Sequence, residues 1–172
     1  MSRVDADMPL AAGGIRFRPT RPDELEWLMG LEQGPDVRGF VTPWSEAWHL
    51  EVMTDDGWAH WVIGQGEGTE PVGFVLLAGM GTPAIELRRI VVTARGRGVG
   101  RAALRRLKEI AFGEWGVERL WLDVFDFNDR AHGLYASEGF QEVKRLSGAT
   151  VGGPEGSQLI VMEIRGADSR RG

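Results

Sequence analysis

Ala84-Ile-Glu-Leu-Arg-Arg-Ile-Val-Val92 runs through Thr93-Ala94 into Arg95-Gly-Arg-Gly-Val-Gly100 and Arg101. The first piece reads as a strand that ends in the apolar run Ile90-Val91-Val92. The second opens a helix predicted to continue to about Trp115, with Ala103, Leu104, Leu107, Ile110 and Ala111 on one face. Arg101, Arg105, Arg106 and Lys108 fall elsewhere on it and form a basic stripe. Where a strand feeds such a turn into a helix N-terminus, glycines let a ligand approach the backbone and the first-turn N–H groups lack helical partners. The helix dipole adds partial positive charge, so a pyrophosphate is well served there. Arg95, Arg97 and Arg101 supply formal charge around it. The plainer alternative is a strand-to-helix turn with solvated arginines.

No Gly-Lys-Ser/Thr follows the turn, which argues against a nucleotide-hydrolysing P-loop. Gly98-Val-Gly100-Arg-Ala-Ala103 also fits a dinucleotide fingerprint, with Asp123 placed as a ribose-binding acid. A dinucleotide-binding oxidoreductase is therefore a second reading. It needs a doubly wound parallel sheet, and too little chain follows Asp123 to build one.

Outward from this centre, Ile15 to Arg18, His60 to Ile63, Pro71 to Leu77 and Leu120 to Val124 read as strands, and Phe140 to Leu146 and Leu159 to Ile164 as two more. Gly64 to Glu70 reads as a hairpin loop. Thr20 is expected to cap a first helix with Pro22 in its first turn, and a second helix runs from Ser45 to Met53. Asn128 caps a helix to Glu138, which Gly139 ends. The class is α/β (α+β) with a mixed sheet. Residues 1–14 and 166–172 read as flexible tails around one domain of residues 15–165.

Hydrophobic residues are 42% and charged residues 26% of the 172-residue chain, an ordinary balance for a globular domain. Net charge is -5, so no global basic field for nucleic acid exists. With no cysteine, disulfides, thiolate metal sites and a cysteine nucleophile are excluded. No apolar run suits a signal peptide or a membrane span, and a cytoplasmic protein is expected. His49 and His60 lack metal-ligand spacing, so no metal is expected.

Arg95-x-x-Gly98-x-Gly100 after an apolar strand, then Asn128-x-x-Ala131-x-x-x-Tyr135-x-x-x-Gly139-Phe140, resembles the GNAT N-acetyltransferases. Trp44-Ser45 and Trp48-His49, with Glu86-Leu-Arg-Arg, are more weakly similar to the branch of ribosomal-protein N-terminal acetylases. The resemblance implies a mostly antiparallel central sheet, flanked by helices and splayed at the cofactor site. It implies acetyl-CoA as co-substrate. The backbone of Ile90, Val91 and Val92 would pair with the pantetheine arm, and that of Arg95, Gly96, Arg97, Gly98, Val99, Gly100 and Arg101 would hold the pyrophosphate. Asn128 and Ala131 would meet the cofactor at the second helix.

Acetyl transfer to an amine needs a base for the ammonium proton, a donor for the leaving thiolate and support for the oxyanion. Tyr135, the chain's sole tyrosine, shares a helical face with Asn128 and Ala131. The family role for such a residue is to protonate the coenzyme A sulfur; the alternative is a core tyrosine beside Phe140. Glu86 is the candidate base, at a position where several family members carry a catalytic glutamate. Regular alternation puts it on one face with Arg88, Ile90 and Val92; the alternative is a strand glutamate paired with Arg88. Among Trp44, Trp48, Trp58 and Trp61, one or two are expected to line an acceptor pocket, where aromatic walls favour an amine. The expected acceptor is an amine, on a small molecule or a protein N-terminus, with no nucleic acid or membrane partner and a monomer or homodimer as the assembly. A non-catalytic acyl-CoA-binding module is the remaining alternative.

Overall fold

The computed structural model describes residues 14–68, 70–93 and 96–169. Seven strands form one sheet: β1 (Ile15–Pro19), β2 (Trp58–Gln65), β3 (Gly73–Ala78), β4 (Ala84–Val92), β5 (Arg119–Phe125), β6 (Gln141–Ser147) and β7 (Gln158–Arg165). Their order is β1-β2-β3-β4-β5-β7-β6, and only β4 and β5 run parallel. The mixed, mostly antiparallel sheet expected from the sequence is present. A doubly wound parallel sheet is not, and the dinucleotide reading falls with it.

Helices α1 (Leu25–Glu32) and α2 (Glu46–Met53) cover one face of the sheet; α3 (Val99–Glu109) and α4 (Asp129–Ser137) cover the other. The apolar stripe of α3 lies in the main core with Ala103, Leu104, Leu107, Ile110 and Ala111 fully buried, and the helix continues through a π-turn at Ile110–Glu114. Ser45 caps α2 by accepting from the Trp48 N–H, and Asn128 caps α4 by accepting from the Ala131 N–H. Gly139, at φ +96°, takes the left-handed conformation that ends α4.

Thr20 does not cap the first helix. A 3-10 turn at Pro22–Glu24 precedes α1, and the Glu24 carboxylate accepts the Arg21 N–H instead. The Thr20 hydroxyl is committed to the buried His60 ring, which outcompetes the local bond.

A second departure lies in β4. Leu76 pairs with Arg89 but Leu77 with Leu87, so Arg88 has no partner on β3 and forms a bulge. The sequence alternation looks unbroken because helices cover both sides of the sheet. Ile85 and Leu87 face the main core; Arg89 and Val91 face the α1–α2 side, while Ile90 and Val92 turn back to the main core. Glu86 pairs with Ala78 and so shares the α1–α2 side with Arg89 and Val91, not a face with Ile90 and Val92. The bulge reverses the expected alternation.

Of the expected tails, residues 1–13 and 170–172 lie outside the described residues, and Gly166–Ser169 form a single helical turn.

Candidate active site

The parallel pair β4–β5 holds together only at Ala84–Glu86 against Arg119–Trp121. Beyond it the strands part, and Leu87–Val92 and Asp123–Phe125 become opposite walls of a cavity of about 1060 Å³. The edge that β4 turns toward β5 there has no strand partner among the described residues. Such an edge can take a peptide-like ligand through main-chain hydrogen bonds.

The glycine turn closes one end of this cavity. Gly96 and Gly98 have φ of +76° and +75°, which any side chain would strain, and a Cβ on either would meet open space. Gly98 is the N-cap of α3 and offers no side chain to the first-turn N–H groups, which are left for a ligand. Ile90–Val92, Gly96, Gly98–Arg101, Asn128, Ala131 and Tyr135 all line the cavity. Arg97 is exposed and does not, and Arg95 lies outside the described residues.

The basic stripe has another destination than the turn. Arg101, Arg105 and Lys108 converge on the carboxylate of Glu138, at 2.5, 3.0 and 3.1 Å. Burial pushes the Glu138 pKa up, but the hydrogen bonds from Arg105, Arg101 and Lys108 outweigh it and hold the group at about 2. This clamp ties the end of α4 to α3 and so fixes Tyr135 in place. Sequence spacing gives no sign of it, because the partners are 30 to 37 residues apart.

Tyr135 combines both roles weighed from the sequence. Its ring packs 5.9 Å from that of Phe140, while its half-buried side chain lines the cavity. Burial, with the Asp123 charge adding to it, raises the phenol to about 12, so it stays protonated through the neutral range.

Glu86 stands behind the cavity wall. Its carboxylate is 3.5 Å from Arg88, whose guanidinium lies 3.8 Å from Asp123, a residue that does line the cavity. Burial raises both carboxyl groups above their ordinary values; Arg88 opposes this at both, and the Asp123 charge adds to the rise at Glu86. Of the four tryptophans, Trp44 lines the cavity, stacked 3.9 Å from Trp48 and covered by the guanidinium of Arg89 at 3.8 Å. Trp61 is buried against Phe17.

Behind Trp44 runs a buried polar chain that local pattern does not reveal. Glu32, fully buried, pairs with Arg89 and accepts from His49 Nε2 at 3.3 Å and from the Trp44 N–H at 3.4 Å. His49 Nδ1 in turn lies 2.9 Å from His60 Nε2, and His60 Nδ1 2.9 Å from the Thr20 hydroxyl. Burial first, then the neighbouring His49, lowers the His60 pKa to about 4. Arg89 also donates to the Thr42 carbonyl at 3.0 Å, so the chain fixes the connection between α1 and α2 against the cavity. Among the described residues no group of three or more His, Asp or Glu is placed to hold a metal ion.

A mixed sheet parted at one parallel pair, with an open glycine turn below the gap and a protonated tyrosine beside it, is the architecture of an acyltransferase. Residues 20–140 match the acetyltransferase (GNAT) family, and the chain belongs to it. A Bacillus subtilis protein described as an uncharacterised N-acetyltransferase, YycN, is 32% identical over 107 residues, 61% of each chain. The chain thus spans 61% of the length of this curated relative. The spermidine N-acetyltransferase of Vibrio cholerae, solved with CoA and spermine, superposes with a TM-score of 0.77 over 91% of this chain and 98% of its own, at 17% identity. A chimera of the Vibrio cholerae enzyme with hSSAT gives 0.79 at 17% identity over 92% of this chain and 99% of its own. Among the described residues no helix is long and apolar enough to cross a membrane.

Proposed function

We propose that the protein transfers the acetyl group of acetyl-CoA to a primary amine by direct attack within a ternary complex. The observation that carries this reading is the opened β4 edge between the α3 turn and Tyr135, which suits a donor with phosphates at one end and an amide-rich arm at the other. The pyrophosphate takes the free N–H groups around Gly98, and the arm lies along Ile90–Val92 with Asn128 and Ala131 opposite.

An acceptor amine arrives mostly protonated, since its reference pKa is about 8 to 10.4. The carboxylates Glu86 and Asp123, joined through Arg88, take that proton, Asp123 facing the cavity and Glu86 behind it. The free amine attacks the thioester carbon, the C–S bond breaks, and the phenol of Tyr135 supplies a proton to the departing sulfur. The attacking nitrogen then gives up its second proton to the Tyr135 phenolate, which restores the phenol and leaves amide and free thiol. A phenol at about 12 is a weak acid, but the same burial also raises the proton affinity of the thiolate.

Equilibrium binding of acetyl-CoA, followed by thiol release across an amine panel, tests the proposal. Glu86→Gln is expected to lower the rate near neutral pH and regain part of it at higher pH, where more amine is free. A loss equal at every pH removes Glu86 from the proton path.

A further inference from the structure

Three chain segments line the cavity away from the turn and α4: the connection between α1 and α2, the end of β5, and the loop between β6 and β7. Each contributes an apolar side chain to it, Phe40 from the first, Phe125 and Phe127 from the second and Val151 from the third. Phe40 stacks on Phe127 with ring centroids 5.8 Å apart, and Phe127 stacks on Phe125 at 5.1 Å. The third segment passes directly beneath this stack, since a Cβ on Gly153 would come within 2.4 Å of the Phe125 ring. Phe127 is 39% and Val151 44% exposed, yet both line the cavity, so their apolar surface faces ligand space rather than the core.

The charges point the same way. Of the three aspartates that line the cavity, Asp36 and Asp129 are exposed and only Asp123 is half-buried. Arg88, Arg89 and Arg101 each already face a carboxylate, of Asp123 and Glu86, of Glu32 and of Glu138. A polyamine carries several ammonium groups that each need a carboxylate, and one half-buried carboxylate serves only one of them.

Resting on the acetyl-transfer reading, we infer that the acceptor is a primary amine with a single positive charge and an aromatic or branched apolar group within a few bonds of the nitrogen. Asp123 meets the ammonium, and the Phe40–Phe127–Phe125 stack takes the apolar group. That chemistry occurs in small arylalkylamines and in peptides whose first residue is apolar.

The test measures thiol release with acetyl-CoA and three acceptors, 2-phenylethylamine, a tripeptide beginning with Phe, and spermidine, alongside acetyl-CoA binding without acceptor. At least one apolar amine is expected to exceed spermidine in kcat/KM by about tenfold or more, the scale of burying one ring on an aromatic wall. Which one leads separates the small-molecule from the peptide source. Phe127→Ala and Phe40→Ala are each expected to raise KM for the apolar amine several-fold and to leave acetyl-CoA affinity unchanged. Acetyl-CoA binding with spermidine preferred, or equal losses for all three amines in both variants, overturns the acceptor class alone. No acetyl-CoA binding overturns the transfer reading and the acceptor class with it.

Discussion

Arg88 reaches from the β4 bulge to within 3.8 Å of Asp123 on β5 while holding Glu86 at 3.5 Å on its own strand. One cation thus restrains two carboxyl groups that burial pushes upward. In Arg88→Met, Glu86 loses its opposing charge and Asp123 keeps only that of Arg89, so the pKa values of both rise further. A base protonated at higher pH is lost sooner on acidification. The acidic limb of the kcat/KM profile should therefore move to higher pH. A limb that stays in place assigns it to a group other than these two.

Tyr135→Phe removes a hydroxyl that bonds to none of the described residues and keeps the ring against Phe140. Fold and acetyl-CoA affinity should hold. Loss of a general acid costs about 10²–10⁴ in rate, and the low end is expected here because a thiolate leaves readily. The loss should appear in kcat, and a more acidic acyl thiol as donor should restore part of it. Full activity would make Tyr135 a packing residue only.

Gly98→Val acts at the N-cap of α3, where φ is +75°. The substitution strains the backbone and places methyl groups where phosphate oxygens would approach. Acetyl-CoA affinity should fall by at least about tenfold, the worth of one or two charge-assisted hydrogen bonds. A folded variant that binds acetyl-CoA as before rules out the turn as the pyrophosphate site.

Two buried groups contribute to the acid stability of the fold in adjacent windows, beside downward shifts at Glu24 and Glu32 and opposing upward ones at Glu86 and Asp123. His60 titrates near 6.5 when unfolded and about 4 when folded, and Glu138 near 4.5 and about 2. Both are depressed in the folded state, so their contribution is complete above the unfolded value and lost as pH falls to the folded one. The first window is worth roughly 3 kcal/mol, the second about 2 after solvent screening at the exposed arginine ends. Denaturant titration should show stability falling from about pH 6.5. His60→Gln, which can still bridge Thr20 and His49, should flatten the upper window. The deficit of Glu138→Gln at pH 7 should close between pH 4.5 and 2.

Local chemistry was readable where a residue and its partner lie within a turn of each other: the cap at Asn128, the stop at Gly139, the stripe of α3 and the glycine turn before it. The same rule failed at Thr20, whose hydroxyl finds a ring 40 residues away. Glu32 meets Arg89 from 57 positions off, and nothing in the spacing of His49 and His60 says that they bond to each other. Around the cavity, the motif marked Asn128, Ala131 and Tyr135, which all line it. The aromatic wall escaped notice because Phe40, Phe125 and Phe127 meet only in the folded chain.

Arg88, without a partner on β3, also makes β4 one residue longer than its pairing requires. The strand has two phases, one for Ile85 and Leu87 and another for Arg89 and Val91, and that single extra residue separates them. Deleting Arg88 would merge the phases and leave every other side chain of β4 facing its present layer of helices. What would be lost is the cation between Glu86 and Asp123, so the inserted residue serves the cavity and not the core.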